Sequence, residues 1–319
     1  MSPLARFPGR QARRMPGLRV LVTGGSGFIG SRVVRELCRA GTQVLSVDRC
    51  PPPQEFHPSC RAETCDIRAA RLAVLAAAFA PHIVVHLAAH VSVPESARRP
   101  AADADVNIRG TVTVAEAAAA AGAQLLVFAA SCAIYGQPAR LPVGEDHPLA
   151  PVTPYGLSKA AALGYAEWFA RHRGLPVTSL ILGNVYGPPR PAPGDGGVIS
   201  QFLAAAADQR APVLHGDGRA TRDFVHVDDV ADAVLRACAA QPAGRVNIGS
   251  GTETSIADVQ AMVSGAAGQA ILPACTGARP GDIQRMCLRT DRAAALLGWS
   301  ARTSLAEGIA ALIPVRPVP

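Results

Sequence analysis

At 319 residues, 49% hydrophobic and 17% charged, the chain holds enough apolar material for one large core or two unequal ones. Its formal charge of +7 is not a nucleic-acid footprint: Arg6, Arg10, Arg13 and Arg14 lie in an N-terminal tail without hydrophobic pattern, and taking those four away leaves +3 with no later basic run interleaved with aromatics. No apolar run approaches the roughly 18 residues needed to cross a bilayer, so neither nucleic acid nor membrane is expected as a partner.

Residues 1–16 read as a disordered basic extension that lacks the apolar region of a signal peptide; Met15 is an alternative start. From there short β-branched runs alternate with alanine-rich helical stretches. Arg19–Thr23, Gln43–Val47, His82–Leu87, Gln124–Ala129 and Val177–Leu182 are expected as buried strands, and Phe28–Ala40, Asp103–Ala121 and Tyr155–His172 as the main helices between them. Because parallel strands need crossover helices, this alternation predicts an α/β fold with a doubly wound parallel sheet. After Asn184 the texture changes. Gly187–Gly197 is dense in Pro and Gly and reads as a loop. Beyond it come helices over Gly197–Ala207, Asp228–Ala240, Ser255–Ser264 and Asp291–Leu297, with brief strands at Phe224–Val227 and Val246–Ile248 that return to the main sheet. The expected division is a first domain over 17–183, with returning segments near 224–248, and a smaller mixed α/β lobe over 184–223 and 249–315. Eight cysteines are scattered without a C-x-x-C pair, which suits reduced thiols and a cytoplasmic setting.

The first strand runs into Gly24-Gly25-Ser26-Gly27-Phe28-Ile29-Gly30 and then a helix. Glycines there let the backbone turn tightly against a pyrophosphate seated on the positive end of the helix dipole. Asp48, closing the next strand, can accept both ribose hydroxyls of NAD and would repel the extra phosphate of NADP. Arg49 beside it argues the other way, since an arginine accommodates that phosphate. Together these features make a Rossmann-type dinucleotide site, and NAD is the expected cofactor.

Tyr155 and Lys159 are four residues apart on a helix opened by Pro154, so phenol and ammonium share a face. Free tyrosine is a poor base at neutral pH, and a nearby cation is expected to stabilise its phenolate. Lys159 is also the one lysine of the chain, against thirty arginines. A compact ammonium can bond ribose hydroxyls beside a phenolate where a planar guanidinium cannot.

The spacing Thr23-Gly24-x-x-Gly27-x-x-Gly30 resembles the short-chain dehydrogenase/reductase superfamily, and the remaining motifs resemble its extended, nucleotide-sugar-modifying branch over residues 17–312. The resemblance implies that Asp66 and Ile67 flank the adenine, that Leu87, Ala88 and Ala89 line the cofactor, and that Asn107 opens the family's N-x-x-G-T segment. Ser131 resembles the Ser/Thr that hydrogen-bonds the reacting hydroxyl beside Tyr155. Dehydrating members place acidic residues just after that position, where this chain has Cys132 and Ala133, so elimination chemistry is not expected. On the substrate side the resemblance implies that Asn184, Arg222 and Arg279 hold the diphosphate, that Leu214 and His215 lie beside the base, and that Ala133 and Val91 border the sugar. Val91 stands where some galactose-type epimerases carry lysine, and Ile181 where an arginine is common. Arg190 is placed to meet a sugar carboxylate if the substrate is a glucuronate; the alternative is a solvated loop charge.

The expected activity is an NAD-dependent 4-epimerase acting on a UDP-hexose or UDP-hexuronic acid. The open alternatives are a net dehydrogenase or keto-sugar reductase using the same residues, and a catalytically silent NAD-sensing protein. The resemblance further implies a homodimer through the helices at Asp103–Ala121 and Tyr155–His172. Asp228-Asp229 reads as a helix cap, and no His/Asp/Glu cluster has metal-ligand spacing, so no metal is expected.

Overall fold

A computed structural model of the protein describes residues 15–52, 60–188, 197–269, 272–277 and 281–313. In chain order the elements are β1 (Arg19–Thr23), α1 (Phe28–Arg39), β2 (Gln43–Asp48), β3 (Cys60–Thr64), α2 (Arg71–Phe79), β4 (Ile83–His86), α3 (Val93–Arg98) and α4 (Pro100–Ala104). There follow α5 (Gly110–Ala120), β5 (Leu125–Ser131), α6 (Pro154–His172), β6 (Val177–Leu182), β7 (Asn184–Tyr186), α7 (Val198–Ala207), β8 (Val213–His215), β9 (Thr221–His226) and α8 (Val227–Ala240). The chain closes with β10 (Gly244–Ile248), β11 (Glu253–Ser255), α9 (Ile256–Ala266), β12 (Ala274–Thr276), α10 (Asp291–Leu297) and α11 (Leu305–Ala310).

Seven strands form one sheet in the order β10-β6-β5-β4-β1-β2-β3, with every pairing parallel. Its central strands are buried on both faces and therefore read as unbroken apolar runs. Along β4, Val84 joins the core packed against α2, α5 and α6, while Ile83 and Val85 join the core packed against α1, α8 and α10. The chain order reverses between β1 and β4, where a doubly wound sheet opens a crevice at its carboxyl edge.

β3 was not expected from the sequence. As an edge strand it is only partly covered, so Cys60–Thr64 carries no apolar alternation to reveal it. The helix expected over Asp103–Ala121 is interrupted: a wider π-type turn over Asp105–Arg109 separates α4 from α5. Gly110 follows that turn tightly packed on Ile67, where an added Cβ would lie 2.5 Å from Cδ1.

Of the two strands expected to return to the main sheet, only Val246–Ile248 does so, within β10. The edge of β6 is then taken, and Gly183 N donates to Ile248 O at 2.9 Å as the chain leaves the sheet. β9, which holds Phe224, pairs instead with β7 in parallel and with β11 antiparallel. A third, two-stranded sheet joins β8 to β12. Tyr186, Ile199, Phe202, Leu214, Phe224, Val259, Val263 and Ile309 form a separate core here.

The expected tail 1–16 is too long at its inner end. Met15 is buried against α1 and β2, and its N–H donates to Ala40 O at 2.9 Å. Arg6, Arg10, Arg13 and Arg14 lie outside the described residues. Among the described residues no helix is long and apolar enough to cross a membrane.

Candidate active site

The carboxyl edge of the sheet gathers the residues that the sequence marks for the cofactor. After β1 the chain turns through Gly24, whose φ is +74° and where a Cβ would lie 2.6 Å from Ala88 N. At Gly30 a Cβ would lie 2.0 Å from Gly24 O. Both obstacles are backbone, so only glycine fits. α1 then starts at Gly27 with no side-chain cap, whereas α3, α6, α9 and α11 each begin at a Ser or Thr that accepts from the first turn. The first N–H groups of α1, at Phe28 and Ile29, thus meet an approaching anion at the positive end of the helix dipole.

Asp48 closes β2 with its carboxylate fixed by backbone: Oδ2 accepts from Ser26 N and Oδ1 from Cys50 N, both at 3.0 Å. Arg49 beside it is exposed. Cys65 N donates to Asp48 O at 2.8 Å, which brings Asp66 and Ile67 alongside. Hydrogen bonds from Arg68 hold the Asp66 carboxyl at about 2, below its usual range. Leu87, Ala88 and Ala89 follow β4, partly buried, with Ala88 N donating to Thr23 Oγ1 at 3.4 Å. A glycine turn without room for side chains, an uncapped helix start and a pre-oriented carboxylate are the features that fit an NAD.

Ser131 ends β5 against the start of α6. Thr153 caps that helix by accepting from Gly156 N at 3.1 Å, and Pro154 takes its first turn, so Tyr155 and Lys159 lie on neighbouring turns. The Ser131 hydroxyl favours the ionised form of the Tyr155 phenol, and its Oγ accepts from Ala133 N at 3.3 Å. The expectation that the nearby cation lowers the phenol pKa is not met in the protein by itself. Burial pushes Tyr155 up to about 12, outweighing the influence of the Ser131 hydroxyl. Lys159 is buried too, its Nζ donates to Ala129 O at 2.6 Å, and burial brings it down to about 8. Cys132, in a tight turn after Ser131, is pushed up to about 12 by burial and stays a thiol.

Beneath this pair lies a polar layer that sequence reading recognised only at Asn107. His86, buried on β4, bonds Thr23 Oγ1 at 2.7 Å and Thr111 Oγ1 at 3.0 Å, and burial keeps it neutral with a pKa near 3. Asn107, in the widened turn, donates to Ser158 Oγ at 3.0 Å and accepts from His90 N at 2.7 Å. His90 Nδ1 lies 2.8 Å from Asp103 Oδ1. The spacing of Asp103 and Asn107, four apart on one helical face, was the available signal.

On the other wall, Asn184 on β7 pairs in register with Phe224 on β9, which sets it near Arg222. Arg222 is held in place: Nη2 donates to Asp282 Oδ1 at 2.8 Å, and Nη1 to Thr221 O at 2.8 Å and Ile283 O at 2.5 Å. Asp223, which the sequence reading passed over, is fully buried and accepts from Ser250 N, Ser250 Oγ, Gly251 N and Leu288 N. It joins three segments at the base of this wall: its own strand, the turn at 250–251 and the chain at Leu288. Leu214 packs into the lobe's own core, and His215 Nδ1 lies 2.8 Å from Thr276 Oγ1. Ala133 is partly buried beside Ser131, whereas Val91 is 67% exposed. Arg190 and Arg279 lie outside the described residues.

Residues 20–249 match the model of the NAD dependent epimerase/dehydratase family. The UDP-glucose 4-epimerase of Mycolicibacterium smegmatis is 38% identical over 92% of this chain and 96% of its own length. Among solved structures, the UDP-glucose 4-epimerase of Thermotoga maritima with UDP-glucose superimposes with a TM-score of 0.87 at 33% identity, over 92% of this chain and 97% of that one. MoeE5 in complex with UDP-glucuronic acid and NAD does so with a TM-score of 0.85 at 34% identity, over the same shares. This chain belongs to the NAD-dependent epimerase/dehydratase family.

Proposed function

We propose that the protein is an NAD-dependent 4-epimerase of UDP-sugars, interconverting UDP-glucose with UDP-galactose or UDP-glucuronate with UDP-galacturonate. One observation carries the reading: Ser131, Tyr155 and Lys159 converge at the edge of β5, while the next two residues, Cys132 and Ala133, offer no acid or base. Such a site suits reversible hydride transfer and lacks the groups that elimination needs. The UDP-glucose 4-epimerases similar to this chain support the reaction type.

When bound, NAD supplies the acceptor for the C4 hydride and the source from which it returns to the opposite face. The chain supplies the rest. Tyr155 takes the proton of the C4 hydroxyl, with Ser131 sharing that hydrogen bond and steadying the oxyanion. Burial holds the phenol near 12 in the protein by itself, and we assign to Lys159 the role of favouring its ionised form once NAD is bound. Phe28, Ile29 and the glycines 24, 27 and 30 receive the pyrophosphate; Asp48 receives the adenine ribose, with Asp66 and Ile67 at the base. Asn184, Arg222 and Arg279 hold the sugar's diphosphate, and Leu214 and His215 flank its uracil. Arg190 is assigned to the hexuronate carboxylate in the second substrate pair.

The division of labour follows the order of the chain, with the cofactor on 17–183 and the returning β10, and the nucleotide sugar on the lobe after Asn184. Leu157, Tyr165 and Trp168 are exposed on one face of α6, and we assign that face to a second copy of the chain, in a cytoplasmic homodimer.

Tyr155→Phe should lower kcat by about 10²–10⁴-fold while NAD stays bound. A Tyr155→Phe protein with wild-type turnover would end this mechanism. The sugar is read by NMR after incubation with UDP-glucose or UDP-glucuronate without added reductant: inversion at C4 supports the epimerase, and NADH accumulating in proportion to product supports a dehydrogenase instead.

A further inference from the structure

Lys159 carries its charge in an unfavourable place. The residue is 4% exposed, and its contacts are neutral: the Ala129 carbonyl at 2.6 Å and the Phe128 ring, whose centroid lies 4.6 Å from Nζ. A desolvated ammonium with only neutral partners tends to give up its proton. The titratable groups around it do little to prevent this. His86 on β4 is neutral, and the Lys159 charge itself helps to keep it so. Tyr155, on the same helix, and Cys132, beyond β5, are both held protonated by burial. The group that favours the ammonium is Asp103, at the end of α4, which packs on α6.

Asp103 is itself fully buried. Its Oδ1 accepts from His90 Nδ1 at 2.8 Å and from Asn107 Nδ2 at 3.2 Å, and its Oδ2 has no hydrogen-bond partner among the described residues. A buried carboxylate with one oxygen unbonded is a costly arrangement unless an opposite charge faces it. Here two such charges, one of each sign, sit on helices fastened to each other. Asn107 Nδ2 donates to Ser158 Oγ at 3.0 Å, and Ser158 is the residue before Lys159. Ser158 Oγ in turn donates to Tyr155 O at 3.0 Å. From the π-type turn, the Asn107 amide reaches both α6 and Asp103.

We propose that Asp103, fixed by His90 and Asn107, is the counter-charge that keeps Lys159 an ammonium inside the protein: a positioning residue that acts on the reacting pair without touching substrate or cofactor. This rests on the assignment of Tyr155 and Lys159 as the reacting pair. The same negative charge opposes ionisation of Tyr155, so its presence is explained by what it does for Lys159. His90 has a role of its own, since its donated hydrogen bond satisfies Oδ1 and leaves the charge of the carboxylate directed elsewhere.

With one lysine in the chain, protein grown on lysine labelled with ¹³C at Cε gives a single side-chain signal that titrates with Lys159. The experiment follows that signal against pH in wild type and Asp103→Asn, each with NAD added, beside the pH profile of kcat. Asp103→Asn should deprotonate Lys159 at lower pH. The alkaline fall in kcat should move with it, so that activity at a fixed pH on that limb drops about tenfold for each unit of displacement. An unmoved Cε titration would overturn the proposal and leave Asp103 a structural acceptor, whatever happens to kcat. If Asp103→Asn does not fold, Asp103→Ser takes its place with the same readout: removing the charge should again deprotonate Lys159 at lower pH. An unmoved Cε titration in Asp103→Ser would also overturn it. Turnover by Tyr155→Phe would instead defeat the reaction assigned above, and leaves the Cε titration standing as its own result.

Discussion

Around Gly24–Gly30 the site is made of backbone packed against backbone, whereas around Arg222 it is made of side chains drawn from distant parts of the chain. At Gly30 the nearest obstacle to a Cβ is Gly24 O, six residues away. Arg222 instead depends on Asp282 and Ile283, sixty residues further on, and its neighbour Asp223 on Ser250, Gly251 and Leu288. The first wall is built on one strand, one turn and one helix, with the neighbouring strand ends at Asp48 and Ala88 completing it. The second exists only after β7, β9, β11 and the segment near 282–288 have come together. A change in the first should act as a steric fault with no relief, and a change in the second as the loss of a contact the rest survives.

Gly30→Ala tests the first half of that contrast and should give the largest effect. The new methyl would lie 2.0 Å from Gly24 O and 2.8 Å from Gly25 Cα, atoms that cannot rotate aside. We expect NAD affinity to fall by about a hundredfold or more and stability by roughly 3 kcal/mol, read by calorimetric titration and by denaturant unfolding. Normal NAD binding by this variant would mean that the turn is pliable and that the contrast is wrong. Arg222→Ala addresses the other wall. It should raise KM for the UDP-sugar by about 10–100-fold, the worth of a charge-assisted bidentate contact, with NAD affinity unchanged. Arg222→Lys should recover part of the loss, because an ammonium keeps the charge but not the fork. A fall in NAD affinity as large as that in sugar binding would show the two walls to be coupled.

The same contrast explains what was legible in the sequence. Backbone-built features leave local signatures: the glycine spacing, the Pro154 start of α6, the four-residue step from Tyr155 to Lys159. Val177–Leu182 was bounded to the residue because a doubly buried parallel strand is an unbroken apolar run. What depends on long-range closure left none. β3 is a half-covered edge, the strand at Phe224 belongs to another sheet because β10 fills the place beside β6, and the hub at Asp223 looks like any aspartate until its four donors arrive. The depressed phenol expected at Tyr155 failed for a related reason. Spacing told which groups are neighbours but not how deeply they are buried, and burial outweighs the neighbours here.

Asp66 offers the smallest effect and the sharpest test of the backbone wall, because it is a side chain placed within it. Its carboxyl is held at about 2 by the Arg68 guanidinium, against an ordinary value of 3.8. A carboxylate with a lowered pKa contributes stability that is full above 3.8 and is lost as the pH falls from there through about 2. The side chain is 35% exposed, however, so solvent screens the pair and the contribution should stay below about 1 kcal/mol. Asp66→Asn should therefore unfold slightly more easily than wild type at pH 7, and the two unfolding curves should converge as the pH is lowered through that window. NAD affinity should fall by roughly tenfold or less, the scale of one hydrogen bond to the adenine edge. A loss rivalling that of Gly30→Ala would mean that the cofactor is held by its side chains after all. A loss near tenfold would confine the role of this wall's side chains to orientation and leave the bulk of the binding to the turn.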